Sequence, residues 1–212
     1  MDKENRYIKK EIITIAVSLI IGFAVSIGFA INSYAQKVSR DITDSVIRFH
    51  VIAQDNTDEE QILKLKVRDA VLKMLHEEMS SMNNRYEAEE YLAGHLEDIS
   101  LTAERVLENE GFDYDVNTEL TVEHYPVRYY KGASFPEGDY KSLKVIIGNG
   151  EGRNWWCVMY PPLCLNGEGV EYKDTDMLKA VLSEDGYDVV VLSSEETVPE
   201  LKFKIVEWWN SL

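Results

Sequence analysis

The hydrophobic pattern opens with a long apolar run near the N-terminus. Residues 12–31 form a stretch of 20 without a charged side chain. At about 1.5 Å per residue, a helix of that length crosses the core of a bilayer. Lys3, Arg6, Lys9 and Lys10 precede the run. By the positive-inside rule, we expect these first residues to stay in the cytoplasm and the rest of the chain to be exported.

The residues that follow the run leave the fate of this helix open. Ser33-Tyr34-Ala35 places small residues where signal peptidase cleaves, whereas the length of the run favours an uncleaved anchor. We therefore expect residues 1–35 to be either a signal peptide or a membrane anchor. Residues 36–44 are polar with little apolar periodicity, and we interpret them as a linker before an exported domain at 45–212.

Within residues 45–212, helical and two-residue periodicities succeed one another. Ser45–Ala53 alternates as a strand does, and Thr57 with Glu60 forms a capping box before a helical pattern. The further expected elements are a second helix at 86–107, strands at 113–125, 127–130, 140–147 and 155–160, a helix at 175–185, a short buried strand at 189–192 and a last helix at 198–210.

This order of elements predicts an α+β fold. The helices cluster before the strands instead of alternating with each of them, so we expect a mostly antiparallel sheet with helices packed on one face. A three-layer α/β arrangement is the alternative. The one N-terminal hydrophobic export or anchor helix precedes this domain.

Charge narrows the classes of partner. The 212 residues hold 38 Asp and Glu against 22 Lys and Arg, a net charge of -16. Nucleic acid is bound through basic surfaces that release counterions, so we expect no nucleic-acid partner. Without residues 1–35, the net charge becomes -17, because that segment holds four basic and three acidic residues.

Two cysteines, Cys157 and Cys164, allow three interpretations. They flank Pro161-Pro162, and a chain reversal there would bring them together as a disulfide, which export permits. Cys157 could instead be a nucleophile activated by His50 or His124, both on predicted strands. It could also be a small apolar residue on a strand.

No motif indicates a cofactor, a metal or a catalytic site. Gly148–Gly152 lacks the spacing of a dinucleotide-binding loop and precedes a strand instead of a helix, so we interpret it as a connection between strands. Neither Gly-x-Ser-x-Gly nor His-Glu-x-x-His occurs. Paired glutamates such as Glu77-Glu78 are typical of solvated helix surfaces. We expect no enzyme activity, no cofactor and no metal.

One short segment has the composition of a protein-binding site. Trp155 and Trp156 are adjacent on a predicted strand, so their side chains must point to opposite faces and only one ring enters the core easily. Arginine beside a partly exposed tryptophan is typical of interface hot spots. We predict a partner-binding site made by Arg153 and Asn154 with either Trp155 or Trp156; the alternative is that both rings are core.

Two stretches of sequence resemble a known family. They are Ile47–Asp55 with Gln61–Val71, and Gly138–Cys164, which contains Asn-Trp-Trp-Cys-Val-x-x-Pro-Pro-Leu-Cys. Both resemble the stage II sporulation protein R family of endospore-forming Firmicutes, over roughly residues 45–165. Gln54 and Tyr160 depart mildly from the family pattern.

The resemblance implies a signalling role. Family members are made in the forespore and exported into the space between the two septal membranes, secreted or anchored. There they trigger a mother-cell membrane aspartic protease that cleaves the precursor of sigma-E. From the residues alone, an exported thiol-dependent hydrolase that acts on the cell wall or a peptide remains the alternative.

Overall fold

The computed structural model describes residues 2–130, 132–163 and 176–192. The chain divides into two units, Met1–Arg40 and Asp41–Leu212. In chain order, the elements are α1 (Asp2–Ser45), β1 (Ile47–Ile52), α2 (Asp58–Ser81), α3 (Arg85–Gly94), α4 (Leu96–Glu110), β2 (Val116–Tyr125), β3 (Arg128–Tyr130), β4 (Ala133–Phe135), β5 (Gly138–Ile147), β6 (Asn154–Tyr160), α5 (Asp176–Val181) and α6 (Glu184–Leu192).

The N-terminal apolar run lies within α1. Its large apolar side chains, from Tyr7 to Tyr34, are exposed to the surroundings. Among the described residues, this is the one helix long and apolar enough to cross a membrane. Soluble domains rarely expose so many apolar side chains in one continuous patch. This exposure therefore fits a signal peptide or a membrane anchor.

Residues 36–44, predicted to be a linker, continue α1 as helix as far as Ser45. The segment contains neither proline nor glycine, so nothing in it breaks a helix. Val38 and Ile42 are both buried, and their spacing of four places them on one helical face.

Four strands form a mixed sheet in the order β2-β5-β1-β6. Strand β5 runs antiparallel to β2 and parallel to β1, and β6 runs antiparallel to β1. Two of the three neighbouring pairs are therefore antiparallel, in agreement with the predicted α+β class. The sequence did not predict the parallel pair, which needs a long crossover; α2–α4 and β2 lie in that connection between β1 and β5.

Helices α2, α3 and α4 pack over one face of the sheet. Thr57 caps α2 by accepting a hydrogen bond from the Glu60 amide, which is one half of the predicted capping box; the Thr57 amide donates to Asp55 instead of to Glu60. Gly111 ends α4 with a φ of 85°, a left-handed conformation that favours glycine. The predicted second helix is two helices, because the chain breaks at His95. The core between helices and sheet includes Phe49, Val51, Leu63, Val67, Val71, Leu75, Leu92, Ile99, Leu143, Val145 and Cys157.

The opposite face of the sheet carries the hairpin of β3 and β4, and α6 contacts β4. The strand predicted at 189–192 is wrong, since these residues belong to α6, with Val190 buried and Val189 exposed. A short valine-rich run fits a buried strand or a helix equally, and Gly186 lies inside this helix instead of ending one. The predicted cap at Asp174 or Thr175 and the predicted helix at 198–210 lie outside the described residues.

Candidate functional site

The four predicted partner-binding residues lie where β6 begins. Arg153 and Asn154 are exposed, and Trp155 and Trp156 are each half-buried. Alternation along the strand sends the two indoles to opposite faces of the sheet, as predicted. The structure therefore gives each ring a different environment, and one surface cannot present both.

Trp155 lies on the helix-covered face. Its ring meets the edge of the Phe49 ring at a centroid distance of 5.6 Å and packs against the core. The Arg68 guanidinium of α2 covers it, 5.0 Å from the ring centre. Trp155 thus packs at the edge of the core, and its outer side is covered by a cation–π contact with Arg68.

Trp156 lies on the opposite face, at the end of a row of side chains that crosses all four strands. The register pairs Trp156 with His50, His50 with Lys144, and Lys144 with Glu119. The indole stacks on the His50 imidazole at 3.7 Å. The Arg128 guanidinium stands 5.2 Å from the Trp156 ring centre. Aromatic, imidazole and guanidinium groups therefore form one stack, in which His50 is buried and Trp156 is half-buried; we call this stack the Trp156 face.

An ionic network supports the Trp156 face. His50 Nδ1 lies 3.2 Å from one oxygen of Glu123, and Lys144 Nζ donates to the other at 2.9 Å. Burial opposes ionisation of Glu123, but the bonds from His50 and Lys144 outweigh it and lower its pKa to about 2. The same carboxylate raises the pKa of Lys144 against the effect of its burial. Glu123 is therefore ionised at neutral pH.

A buried cation anchors the hairpin next to this network. Arg48 is fully buried, and its guanidinium lies 4.5–5.7 Å from the centres of four aromatic rings, those of Tyr125, Tyr130, Phe135 and Tyr140. It donates a hydrogen bond of 2.8 Å to the Tyr130 hydroxyl. Burial raises the pKa of Tyr140 to about 12. The tyrosines are therefore neutral, and their rings, instead of anions, surround the charge.

Sequence reasoning did not identify Arg48, Glu123, Lys144 or Arg128 as members of a site. The strand pattern did set Arg48 and His50 apart as the polar positions of β1. Which residues of β2, β5 and β3 would oppose them depends on strand order, and that was not predicted.

The loop before β6 is fixed to the end of β1 and to α2. The amide of Gly152 donates to the Ala53 carbonyl at 2.9 Å, and the amide of Glu151 donates to the Gln54 carbonyl. Lys64, a buried residue of α2, donates to the Arg153 carbonyl at 2.8 Å. Burial, and secondarily the nearby arginines, lowers the pKa of Lys64. The backbone that presents Arg153 and Asn154 is thus held on both sides, as the predicted strand connection requires.

Cys157 is fully buried and disulfide-bonded. Its predicted partner, Cys164, lies outside the described residues, so that pairing stays a prediction. Cys157 of β6 lies opposite Phe49 of β1 in the sheet, and its side chain belongs to the core beneath the helices. The side chain of His50 points to the other face of β1. His124 lies on β2 at the far edge, between Asp139 and Glu137, which raise its pKa. The structure therefore brings no predicted base to Cys157.

The described histidines with side-chain hydrogen bonds bind carboxylates or a backbone carbonyl. His50 binds Glu123, His124 binds Asp139 and Glu137, and His95 binds the Tyr91 carbonyl. Across residues 2–130, 132–163 and 176–192, no group of three or more His, Cys, Asp or Glu side chains is arranged to hold a metal ion. Chemically, the Trp156 face offers stacking, a guanidinium and a fixed ion pair, which suit protein recognition.

Comparison with known proteins agrees with this description. The model of the family "Stage II sporulation protein R" matches residues 43–169. Stage II sporulation protein R of Bacillus subtilis (strain 168) is 31% identical over 221 aligned positions, which cover 96% of this chain and 98% of that protein. No solved structure matches the chain.

An apolar N-terminal helix followed by an α+β domain, with these matches, defines a sporulation protein. The chain belongs to the stage II sporulation protein R family. The matched family residues include β1, α2, β5 and β6, so the Trp156 face and its supporting network lie within them.

Proposed function

We propose that this protein is an exported forespore signal that activates a mother-cell membrane aspartic protease, which then processes the sigma-E precursor during endospore formation. The observation that carries the proposal is family membership, shown by the family model over residues 43–169 and by the Bacillus subtilis relative over 96% of the chain. The apolar helix supplies the means of export, and the exported domain acts in the space between the septal membranes, secreted or anchored.

Recognition, and not catalysis, is the role that the described residues favour. Thiol chemistry requires a thiolate with access to substrate. Cys157 is buried and disulfide-bonded, and neither His50 nor His124 faces it. The chemistry predicted for a thiol-dependent hydrolase therefore has no support in this geometry.

We propose that the protease contacts Arg153, Asn154 and Trp156. Trp155 is committed to the core border under Arg68, whereas Trp156 stands on a polar face beside Arg128. A half-buried indole beside the Arg128 guanidinium combines apolar area with directional donors, as in interface hot spots. The held backbone of residues 151–153 presents the two polar side chains without a large ordering cost.

Reconstitution in a bacterium that does not sporulate tests the function. The full chain is co-expressed with the candidate protease and the sigma-E precursor, and cleavage of the precursor is followed by immunoblot. We expect the mature form only when all three are present. Precursor that stays uncut, with all three proteins at normal abundance, contradicts the proposal.

A further inference from the structure

Strand β2 forms one edge of the sheet, and no described strand pairs with its outer side. Strand β2 runs for ten residues and, among the described strands, pairs with β5 alone, so alternate backbone amides and carbonyls face away from the sheet. Ser100 Oγ donates to the Val116 carbonyl at 2.8 Å. From 117 to 125, no other described residue hydrogen-bonds the outward backbone groups of β2.

Proteins usually block such an edge with proline, lysine, a bulge or a covering segment. Val116–Tyr125 contains neither proline nor lysine. Its register with β5 continues without a shift from Val116 opposite Ile147 to Tyr125 opposite Gly138. Val122 is 59% exposed, so no described residue buries the side chain in the middle of the strand. A regular, open edge of this length is a template for another strand.

Side chains on the two faces of β2 define what could pair with it. Leu120, which packs at the core border, and the exposed Val122 lie on the helix side. Glu119 and Glu123 lie on the other side, where both contact Lys144. Residues 113–125 hold four acidic side chains and no lysine or arginine. A second copy of the chain would place like charges along a shared edge.

We propose that the outer edge of β2 accepts an extended segment of the partner protein, with alternating apolar and basic side chains, as a fifth strand. Backbone hydrogen bonds would supply affinity, the row of Leu120 and Val122 would contact apolar side chains, and Glu119, whose side chain is 42% exposed, would attract the basic ones. The inference rests on the proposed function for the identity of the partner, the membrane protease. The binding chemistry of the edge can be tested without it.

The first experiment uses a peptide probe and does not depend on the proposed function. The full chain in detergent micelles is mixed with a decapeptide of alternating valine and lysine, and amide hydrogen exchange is measured. We expect exchange in residues 117–125 to slow about tenfold or more, with α2 unchanged. A decapeptide of alternating valine and glutamate is the matched control and should have no effect. Unchanged exchange, or equal slowing by both peptides, overturns the proposal.

The second experiment places a lysine on the edge. Val122→Lys introduces the lysine that protected edge strands usually carry, and its charge repels a basic segment. Ile62→Lys is the control, because Ile62 is a similarly exposed aliphatic residue on α2, with 56% of its surface exposed. In the co-expression assay, we expect Val122→Lys to lower precursor cleavage about tenfold and Ile62→Lys to leave it within about twofold. Equal effects of the two variants overturn the proposal.

The outcomes separate the two proposals. If the unaltered chain supports no cleavage but its β2 amides are protected by the basic peptide, the proposed function fails and the edge site stands. If the chain sediments as a dimer in detergent and Val122→Lys makes it monomeric, the occupant is a second copy, and the partner-strand proposal is wrong.

Discussion

Arg48 and Glu123 are two charges on the same face of the sheet, the first fully buried and the second partly buried, and each is stabilised in a different way. Arg48 is surrounded by four aromatic rings and one hydroxyl, so ring quadrupoles offset the loss of water around the cation. Glu123 is paired with His50 and Lys144 through both of its oxygens. Each side chain joins strands that are distant in sequence, and each supports the residues that present Trp156.

The low pKa of Glu123 makes part of the free energy of unfolding depend on pH in the acid range. A carboxylate whose folded pKa is below its unfolded value contributes stability that is complete above the unfolded value and is lost as pH falls through the folded one. For Glu123, that window runs from about 4.5 down to about 2. We expect Glu123→Gln to remove about 2–3 kcal/mol of this pH-dependent stability.

The measurement is the urea midpoint of the full chain in nonionic detergent, followed by tryptophan fluorescence at several pH values across that window. Glu119→Gln is the control, because it removes the more exposed carboxylate on the same Lys144. If the urea midpoint falls equally with pH in Glu123→Gln and in the unaltered chain, the bonds of Glu123 to His50 and Lys144 are not the source of the acid dependence.

At the scale of elements, periodicity predicted β1, β2, β5, β6 and α2, because each has a clear two-residue or helical pattern. The parallel pairing of β1 with β5 could not be predicted from the sequence. Three helices and a strand separate the two strands, and no local pattern determines which strand β5 will pair with after so long a connection. The Trp156 face shares this limit. Its members come from four strands, and only their order brings Trp156, His50, Lys144 and Glu119 into one row.

The loop between β5 and β6 depends on a close backbone approach at Gly152. A Cβ there would lie 2.2 Å from the Asp55 carbonyl oxygen, a backbone atom that cannot move aside cheaply. We expect Gly152→Ala to lower the free energy of unfolding by about 2 kcal/mol or more. Gly94→Ala, where a Cβ meets nothing within 4 Å, should cost nothing measurable. Urea denaturation of both variants decides, and equal stability of the two would contradict this account of the loop.

The same loop carries the proposed contact residue Arg153. Its side chain is exposed and only its carbonyl holds the fold, so Arg153→Ala should abolish precursor cleavage while the exported domain keeps its normal abundance. Arg105→Ala, an exposed arginine on α4, is the matched control and should cleave normally. Normal cleavage with Arg153→Ala, or a fall in abundance that accounts for the loss, would show that the segment is structural.

At the scale of the whole molecule, charge and hydrophobicity are divided between two parts of the chain. Basic residues precede the apolar run, as the positive-inside rule expects of a cytoplasmic end, and the remaining chain is strongly acidic. An acidic domain is repelled by anionic lipid headgroups, which favours contact with a protein partner over the membrane surface. Family membership, the apolar helix and the Trp156 face therefore lead to the same proposal, an exported domain that is recognised outside the cytoplasm.

Export is the central claim, and one comparison tests it most directly. The full chain and a chain that begins at Gln36 after an initiating methionine are each co-expressed with the protease and the sigma-E precursor, and cleavage is scored at matched abundance. The account predicts cleavage with the full chain and none with the chain retained in the cytoplasm. Equal cleavage in both cells would contradict it, because the domain would then act from the wrong side of the membrane.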